Sequence, residues 1–297
     1  MNELIVIPPT YFDVVDTYNT RMRPDHPHGR PDRMRTMAQW SRMIGVLNLQ
    51  MDIESHWLLA RPGLADMAFA CDPGLWIDDL FIASNFWPPA GRTASPRQAE
   101  VETFTDWFGQ KGVRIATLPS DAYFEGGDCV MVGKSLVIGY GENRTNIRGV
   151  EEITKLLEPR GIEVIPIRRI TEEFYHLNSV FTYFPSADLI AFYPPAFSAD
   201  AFNTLSVRLP LNTRILEVTE SEAMRHHPDF GGEYLYSYTL NAIERNGMVL
   251  MPYCAPSFGK ILEHHGLKVI VPPDGSSEFE RSGGSYRCLT MFHNVTR

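Results

Sequence analysis

The last strand-like segment of the chain reads Gly283-Gly284-Ser285-Tyr286-Arg287-Cys288-Leu289-Thr290-Met291, and the prediction of the fold starts from this segment. Its paired glycines let the backbone bend tightly and approach a ligand closely. A thiol next to Arg287 and glycine amides lies in a field that favours thiolate, which is the reactive form. The alternative is a small buried cysteine in an edge strand, because cysteine is among the most buried residue types. The choice depends on whether other segments supply acids and a base.

Outward from this segment, one pattern of apolar runs recurs along the chain. Two runs flank a turn in residues 71–82, 128–138, 180–192 and 240–250. Each stretch meets the strand-turn-strand criterion for a hairpin, and Asn246-Gly247 is the strongest short hairpin signal. Helices are predicted after these hairpins over 97–109, 146–157, 199–207 and 257–265, followed by strands over 114–118, 162–167, 213–218 and 267–271. The repeating unit is therefore predicted to be β-β-α-β.

A fifth unit is predicted to join the two ends of the chain. The Cys288 strand would combine with residues 4–7, a helix over 31–47 and an extended segment over 51–57. The apolar stripe of that helix is expected from Met34, Met37, Trp40, Met43, Ile44 and Leu47. Closing the repeats into a ring leaves few free strand edges. We therefore expect an α/β fold in which residues 1–297 form one domain of five units around a central axis.

The composition is that of an ordinary globular chain, with 44% hydrophobic and 21% charged residues in a length of 297. The net charge of −9 argues against nucleic acid or an anionic membrane as the main partner, since both require a basic surface. The amino terminus lacks the layout of a signal peptide, and no apolar run reaches the ~20 residues that span a bilayer. We therefore expect a cytoplasmic protein, and the composition leaves a homo-oligomer open.

Cysteines and histidines do not indicate a metal site. The four cysteines, Cys71, Cys129, Cys254 and Cys288, have no spacing typical of zinc ligands or of a disulfide framework. The histidine pairs His226-His227 and His264-His265 have no companion ligands at metal spacing. We predict that these histidines are surface residues and that the cysteines are reduced.

Polar residues suited to catalysis occur at equivalent places in the repeat. Asp72 begins the first hairpin, and Glu125 and His176 stand just before the second and third. Equivalent positions in a ring converge on its axis, so these residues are predicted to meet Cys288 there. A thiol with an imidazole is a common activated nucleophile, and two carboxylates would hold a cation. Taken singly, Asp72 could be a turn residue, Glu125 an exposed loop acid and His176 a structural histidine.

These motifs resemble those of the guanidino-group-modifying, or pentein, superfamily, which includes arginine deiminases, dimethylarginine dimethylaminohydrolases, arginine dihydrolases and amidinotransferases. Phe124-Glu125-Gly126-Gly127-Asp128, Tyr175-His176-Leu177 and residues 283–290 look like the family's glutamate, histidine and cysteine motifs, in the family's order. Phe69-Ala70-Cys71-Asp72 is similar to the segment whose aspartate holds the guanidinium. The resemblance implies a pentein α/β-propeller of five β-β-α-β units with pseudo-fivefold symmetry.

The resemblance also implies a set of substrate-binding residues. Asp66 matches a substrate-binding acid or amide, and Arg97 and Arg144 resemble two arginines that bind the substrate carboxylate. Asn19 is similar to an amino-terminal asparagine of arginine dihydrolases, although there Pro-Trp follows and here Thr20-Arg21 does. The implied set is completed by Asp128 and Asn178.

The chemistry implied by the resemblance is cysteine-dependent hydrolysis of a guanidino group. Glu125 and Asp72 would hold the guanidinium, while Cys288 would attack its central carbon. His176 would transfer protons on either side of a covalent S-alkylthiouronium intermediate. No metal or organic cofactor is expected, and the partner is a small guanidino substrate. Two alternatives stay open: an amidinotransferase, which passes the amidino group to an amine, and a non-catalytic binding protein with the same fold.

Asn178 bears on which guanidino compound is bound. Family members that act on unsubstituted guanidino groups usually have aspartate two residues after the histidine, whereas this chain has His176-Leu177-Asn178. An asparagine carries no charge and one acceptor oxygen, so it cannot match the bidentate grip of a carboxylate. Methylarginine hydrolases of the family also lack this aspartate. The resemblance therefore favours an Nω-substituted arginine, with binding of ordinary arginine as the alternative.

Overall fold

The computed structural model describes residues 3–226 and 236–296, and in this part the chain is a mixed α/β fold, as predicted. The strands are β1 (Glu3–Val6), β2 (Glu54–Trp57), β3 (Gly74–Ile77), β4 (Leu80–Ala83), β5 (Arg114–Ala116), β6 (Cys129–Val132), β7 (Ser135–Tyr140), β8 (Glu163–Arg168), β9 (Phe181–Phe184), β10 (Leu189–Phe192), β11 (Arg214–Glu217), β12 (Met224–His226), β13 (Tyr236–Tyr238), β14 (Ile243–Arg245), β15 (Met248–Leu250), β16 (Lys268–Ile270) and β17 (Met291–Asn294). The α-helices are α1 (Arg33–Leu49), α2 (Gln98–Gln110), α3 (Ile147–Leu157), α4 (Ala201–Arg208), α5 (Glu220–Ala223), α6 (Pro256–His264) and α7 (Ser277–Glu280). Within these ranges, no helix is long and apolar enough to cross a membrane.

Strand triplets are the common unit of the sheets. Three separate sheets have the strand sets β6-β7-β8, β9-β10-β11 and β14-β15-β16. In each set, the first two strands are antiparallel and the third is parallel to the second. Parallel neighbours need a crossover connection, and α3, α4 and α6 supply it.

Two further triplets share a six-stranded sheet of order β2-β1-β17-β3-β4-β5. The β3–β4 hairpin is followed by α2 and by β5, which is parallel to β4. The carboxyl-terminal β17 is antiparallel to β1, and β2 is parallel to β1 after the α1 crossover. The predicted meeting of the two chain ends is therefore present. The short β12–β13 pair was not predicted from the sequence.

Each crossover helix buries one apolar face, which fixes the hairpin beside it. In α2 the buried face is Val101, Phe104 and Phe108, a spacing of three and four residues that places them on one side of the helix. They pack with Trp76 and Phe81 of the first hairpin. The Phe81 and Phe108 rings stack with centroids 4.3 Å apart. Residues at the start of the hairpin therefore have well-defined positions.

The predicted apolar stripe of α1 is wrong at its first two members. Met34 and Met37 are exposed, with 81% and 38% of their surface accessible. The buried side of this first part of the helix instead includes Gln39, whose amide donates to Ser277 Oγ at 2.9 Å and accepts from the Glu278 backbone N–H at 3.1 Å. The helix packs here against the polar α7 segment, so hydrogen bonding takes the place of apolar contact.

The prediction that Cys288 lies in a strand is also wrong. The strand begins three residues later at Met291, and Cys288 belongs to a series of turns. The Leu289 N–H donates to the Ser285 carbonyl at 3.1 Å, which folds the backbone over the cysteine. Gly283 has φ of 88°, a left-handed conformation that other residues rarely adopt. The chain thus bends before the cysteine and becomes extended only after it.

Asp32 caps α1, and replacing it should destabilise the fold. Its Oδ1 accepts from the Arg35 N–H at 2.8 Å, which satisfies one of the otherwise free donors of the first turn. We expect Asp32→Ala to lower the free energy of unfolding by about 1 kcal/mol in urea titrations, whereas Asp32→Asn keeps the acceptor and should stay close to the parent. Equal stability of both variants and the parent would contradict the cap.

Candidate active site

One pocket brings together residues from distant parts of the chain. Of the ten residues predicted for the site, six line this pocket: Asn19, Asp66, Asp72, Arg97, Arg144 and Cys288. The remaining lining residues are Tyr18, Met22, Phe69, Tyr175, Ser282 and Gly284. The other four predicted residues are buried next to it and connect to it through the hydrogen bonds described below.

His176 is held between two carboxylates. Its Nε2 lies 2.8 Å from Glu125 Oε2, while its Nδ1 lies 3.5 Å from Asp72 Oδ1, beyond a good hydrogen bond. Burial lowers the pKa of His176, but the Asp72 charge and the hydrogen bond with Glu125 outweigh it and raise the pKa above its ordinary value. The surroundings of the imidazole therefore favour its protonated form.

Glu125 is fully buried and depends on cations to stay charged. Arg144 Nη1 lies 3.1 Å from Glu125 Oε2, and the Arg144 guanidinium also covers the Tyr175 ring at 5.0 Å. Burial raises the pKa of Glu125, but the Arg144 charge and the hydrogen bond with His176 outweigh it and bring the pKa to about 2. This carboxylate is therefore an anion over the whole physiological pH range.

Asp72 belongs to a second buried ion-pair group. Its Oδ2 accepts from Arg97 Nη1 at 2.8 Å, and Arg97 also makes a bidentate pair with Glu100 at 3.0 and 2.8 Å. Burial raises the pKa of Glu100 to about 7 in spite of this pair, and burial likewise raises the pKa of Asp66 against the Arg97 charge. Arg97 is thus shared among several carboxylates, and burial disfavours the charged form of two of them, Asp66 and Glu100.

Cys288 is buried among amides and a second thiol. Its Sγ lies 3.0 Å from Asn241 Nδ2 and 3.5 Å from Asn178 Oδ1, and its carbonyl accepts from the Cys71 N–H at 3.1 Å. The Cys71 thiol has two acceptors within reach, Asp72 Oδ1 at 3.0 Å and the Cys288 sulfur. The hydrogen bond from Cys71 outweighs burial and lowers the pKa of Cys288, which favours the thiolate.

Gly127 makes the close approach of these groups possible. A methyl group at this position would lie 2.5 Å from His176 Nδ1 and 2.9 Å from Asp72 Oδ1. Only glycine leaves room for the imidazole and the carboxylate to pack on this backbone. The two glycines after Glu125 in the sequence therefore have a steric cause in the site itself.

Asp128 and Asn19 make polar contacts with backbone and side-chain groups at or near the pocket. Asp128 Oδ1 accepts from the Leu177 N–H at 3.0 Å and lies 3.1 Å from Arg169 Nε. Asn19 donates from Nδ2 to the Ser282 carbonyl at 3.0 Å and lines the pocket. The predicted substrate-binding roles of Asp128, Asn19 and Asn178 stay predictions.

Sequence reasoning missed Asn241, Cys71 and Glu100 as parts of this site. A signal for Asn241 exists, because it stands two residues before β14, as Asp72 stands two residues before β3. Asp128, Asn178 and Cys288 likewise come one to three residues before β6, β9 and β17. The repeat thus places a polar residue at the entrance of each hairpin, and Asn241 is that residue in the fourth.

The paired histidines lie away from this pocket. His226 and His264 are exposed, as predicted, and His265 is half-buried beside Arg214. His227 lies outside the described residues. Within residues 3–226 and 236–296, no group of three or more potential ligands is arranged to hold a metal ion.

Replacing Glu125 should change the titration of His176. Glu125→Gln removes the anion that favours imidazolium, so we expect the pKa of His176 to fall, measured by NMR of its ring Cε1–H with assignment from a His176 variant. Glu142→Gln is the matched control, because Glu142 is an exposed glutamate paired with Arg168. An unchanged His176 midpoint in Glu125→Gln would show that the pair does not govern its protonation.

Comparison with known proteins shows that the chain resembles enzymes of known activity. The chain is 29% identical over 293 residues to the bifunctional arginine dihydrolase/ornithine cyclodeaminase ArgZ of Synechocystis sp., which covers 97% of this chain and 37% of that protein. It is 29% identical over 287 residues to the N(G),N(G)-dimethylarginine dimethylaminohydrolase of Mycobacterium tuberculosis, and this alignment covers 96% of this chain and 83% of that protein. The chain therefore spans little more than a third of the length of the cyanobacterial relative.

The fold of a solved relative agrees with these similarities, although no family model matches the chain. The amino-terminal domain of ArgZ, solved covalently bound to a reaction intermediate, aligns with a TM-score of 0.83 and 26% identity over 99% of this chain and 98% of that one. Similarity of sequence and of fold both extend over nearly the whole chain. On these grounds the chain is similar, in sequence and in fold, to enzymes of the guanidino-group-modifying, or pentein, superfamily.

Proposed function

We propose that the chain is a cysteine-dependent hydrolase of a guanidino group, converting arginine or an Nω-substituted arginine to a citrulline-type product with release of ammonia or an amine. The observation that carries this proposal is the convergence of Cys288, the His176–Glu125 pair and Asp72 around one buried pocket. The names of the two relatives, an arginine dihydrolase and a dimethylarginine dimethylaminohydrolase, support the same substrate class.

The carboxylates of the pocket suit a planar guanidinium. Asp72 and Glu125 already accept N–H groups from the guanidinium groups of Arg97 and Arg144, at 2.8 and 3.1 Å. Charge-assisted hydrogen bonds of this kind are short and directional. A substrate guanidinium would share the same oxygens, and this would orient its central carbon toward Cys288.

The reaction would proceed through a covalent intermediate in two steps. The Cys288 thiolate attacks the guanidinium carbon, the bond from that carbon to the departing nitrogen breaks, and His176 gives its proton to the leaving amine. An S-alkylthiouronium then remains on Cys288. His176 takes a proton from water, which attacks the same carbon, and the carbon–sulfur bond breaks to release the ureido product and the thiolate.

The overall architecture that we propose is a ring of five units. The support is the recurrence of an antiparallel pair with a parallel third strand in the five strand triplets of the described residues. We propose that residues 1–297 form a single catalytic domain of this kind, with the pocket at its axis. A cytoplasmic location and a small-molecule partner belong to the same proposal.

Replacing the nucleophile should abolish turnover without unfolding the chain. Cys288→Ser is expected to release no citrulline-type product from a panel of arginine, methylated arginines and guanidino acids, because a hydroxyl is a far weaker nucleophile than a thiolate. The reagent 2-chloroacetamidine should label Cys288 in the parent, as found by peptide mapping. Cys254→Ser is the matched control and should retain labelling at Cys288, whereas labelling of Cys71, Cys129 or Cys254 instead would refute the assignment.

Arg97 and Arg144 are proposed to bind the carboxylate of the substrate. Because agmatine lacks that carboxylate, we expect its kcat/KM to be roughly 10- to 100-fold below that of the matching amino acid. Arg144→Lys should reduce kcat/KM for the amino acid more than for agmatine. Arg168→Lys alters an exposed arginine and should leave both values unchanged. Equal kcat/KM for agmatine and arginine would overturn this role.

The same panel of substrates tests whether the enzyme prefers a guanidino nitrogen that carries a substituent. Asn178 stands where an aspartate would favour an unsubstituted guanidinium, and this supports a preference for Nω-methylated arginine. In the structure Asn178 contacts Cys71 Sγ and Cys288 Sγ at 3.4 and 3.5 Å. Comparing kcat/KM for arginine and for its methylated forms shows which substrate is preferred. A clear preference for arginine would contradict the preference inferred from Asn178.

A further inference from the structure

Asn241 is a fully buried asparagine just before β14, and its side chain contacts both the backbone N–H and the sulfur of Cys288. It comes from the fourth hairpin, 47 residues before the cysteine. A buried carboxamide costs free energy unless its hydrogen bonds are made, so the partners of Asn241 indicate what it is there to hold.

The orientation of the Asn241 amide is determined by its oxygen. Oδ1 lies 3.0 Å from the Arg287 N–H and 3.2 Å from the Cys288 N–H. Both of these groups can only donate, so the atom that faces them must be the oxygen. The two bonds tie the turn that carries Cys288 to the fourth hairpin.

The amide nitrogen consequently faces the sulfur. Asn241 Nδ2 lies 3.0 Å from Cys288 Sγ, with the Asn178 carbonyl at 3.0 Å and Asn178 Oδ1 at 3.2 Å as its other acceptors. An N–H donor aimed at a sulfur stabilises the thiolate more than the thiol, because hydrogen bonds to an ionised acceptor are the stronger ones. One side chain thus holds the backbone of Cys288 and donates to its sulfur.

We propose that Asn241 is the positioning residue of the Cys288 nucleophile, fixing its turn through two backbone amides and stabilising its thiolate through one amide donor. This rests on the proposed function for its consequence in catalysis, but the effect on the thiol itself does not. Asn241 would act through Cys288, without forming a bond to the substrate.

A purely structural role for Asn241 predicts a different result from the proposed positioning role. If Asn241 only filled space and satisfied the turn, its replacement would lower stability and leave the pH dependence of Cys288 reactivity unchanged. If it stabilises the thiolate, the pH at which Cys288 becomes reactive must rise when the donor is lost. Asn241→Ala separates the two, because it removes the donor without adding a charge, whereas Asn241→Asp keeps the oxygen for the Arg287 and Cys288 amides but adds an anion that itself disfavours the thiolate.

The test is the pH profile of Cys288 alkylation. Iodoacetamide labelling of that residue, quantified by peptide mass spectrometry across pH, gives the midpoint of thiolate formation in the parent, Asn241→Asp and Asn241→Ala. We expect both variants to shift the midpoint upward by about one pH unit or more, which slows alkylation at pH 7 about tenfold. In turnover, kcat should fall while KM changes little.

Asn294→Ala provides a matched control. Asn294 is also buried, and its Nδ2 donates to the Trp76 and Phe292 carbonyls at 3.0 and 3.1 Å. Its replacement should lower the melting temperature without moving the Cys288 midpoint. If Asn241→Ala is too unstable to study, Asn241→Leu, which is neutral, of similar size and without a donor, carries the comparison.

The outcomes separate this inference from the proposed function. A midpoint equal to the parent's in Asn241→Ala would overturn the inference, even if the parent hydrolyses guanidino compounds. If the parent hydrolyses none of them, the proposed function fails, while a shifted alkylation midpoint would still support the contact between Asn241 and the Cys288 thiolate.

Discussion

The buried ion pairs around His176 are the interaction on which the rest of the site depends. A carboxylate removed from water is unstable unless a cation or several hydrogen-bond donors accompany it. Glu125 has Arg144 and His176, and Asp72 has Arg97. Removing one partner would leave a charge buried and unpaired, so the acids, the histidine and the arginines form one electrostatic unit, and its members constrain one another's positions.

This unit also explains why the pocket suits a cationic substrate. Asp66, Asp72 and Glu100 surround Arg97, and burial raises the pKa of Asp66 and of Glu100, so their negative charge is disfavoured unless cations lie close by. A guanidinium entering the pocket would offset part of that charge. Binding and preparation for reaction thus have the same electrostatic origin, because the groups that attract the guanidinium also orient it.

The repeat brings together residues that are far apart in the sequence. Asp72, Asp128, Asn178 and Asn241 each precede the first strand of a hairpin, and Cys288 precedes β17, which is antiparallel to β1 from the other end of the chain. Packing of the crossover helices fixes each hairpin, so these entrance residues are held on rigid elements although their own backbone is irregular. The Cys288 turn illustrates this, since its amides are tied to the side chain of Asn241 in another hairpin.

The sequence by itself determined most of the strand and helix order and predicted several of the residues that meet in the pocket, because apolar periodicity and turn chemistry are local. Hairpins and helices lie within a few residues of the predicted bounds, and Asp72 and Cys288 line one pocket. Tertiary structure alone decided the exposure of Met34, the turn at Cys288 and the use of Asn241. These features depend on long-range packing. The polar α7 segment packs against the first part of α1, and the amide of Asn241 reaches the thiol of Cys288 in a distant turn. Local sequence carries no information on such long-range contacts.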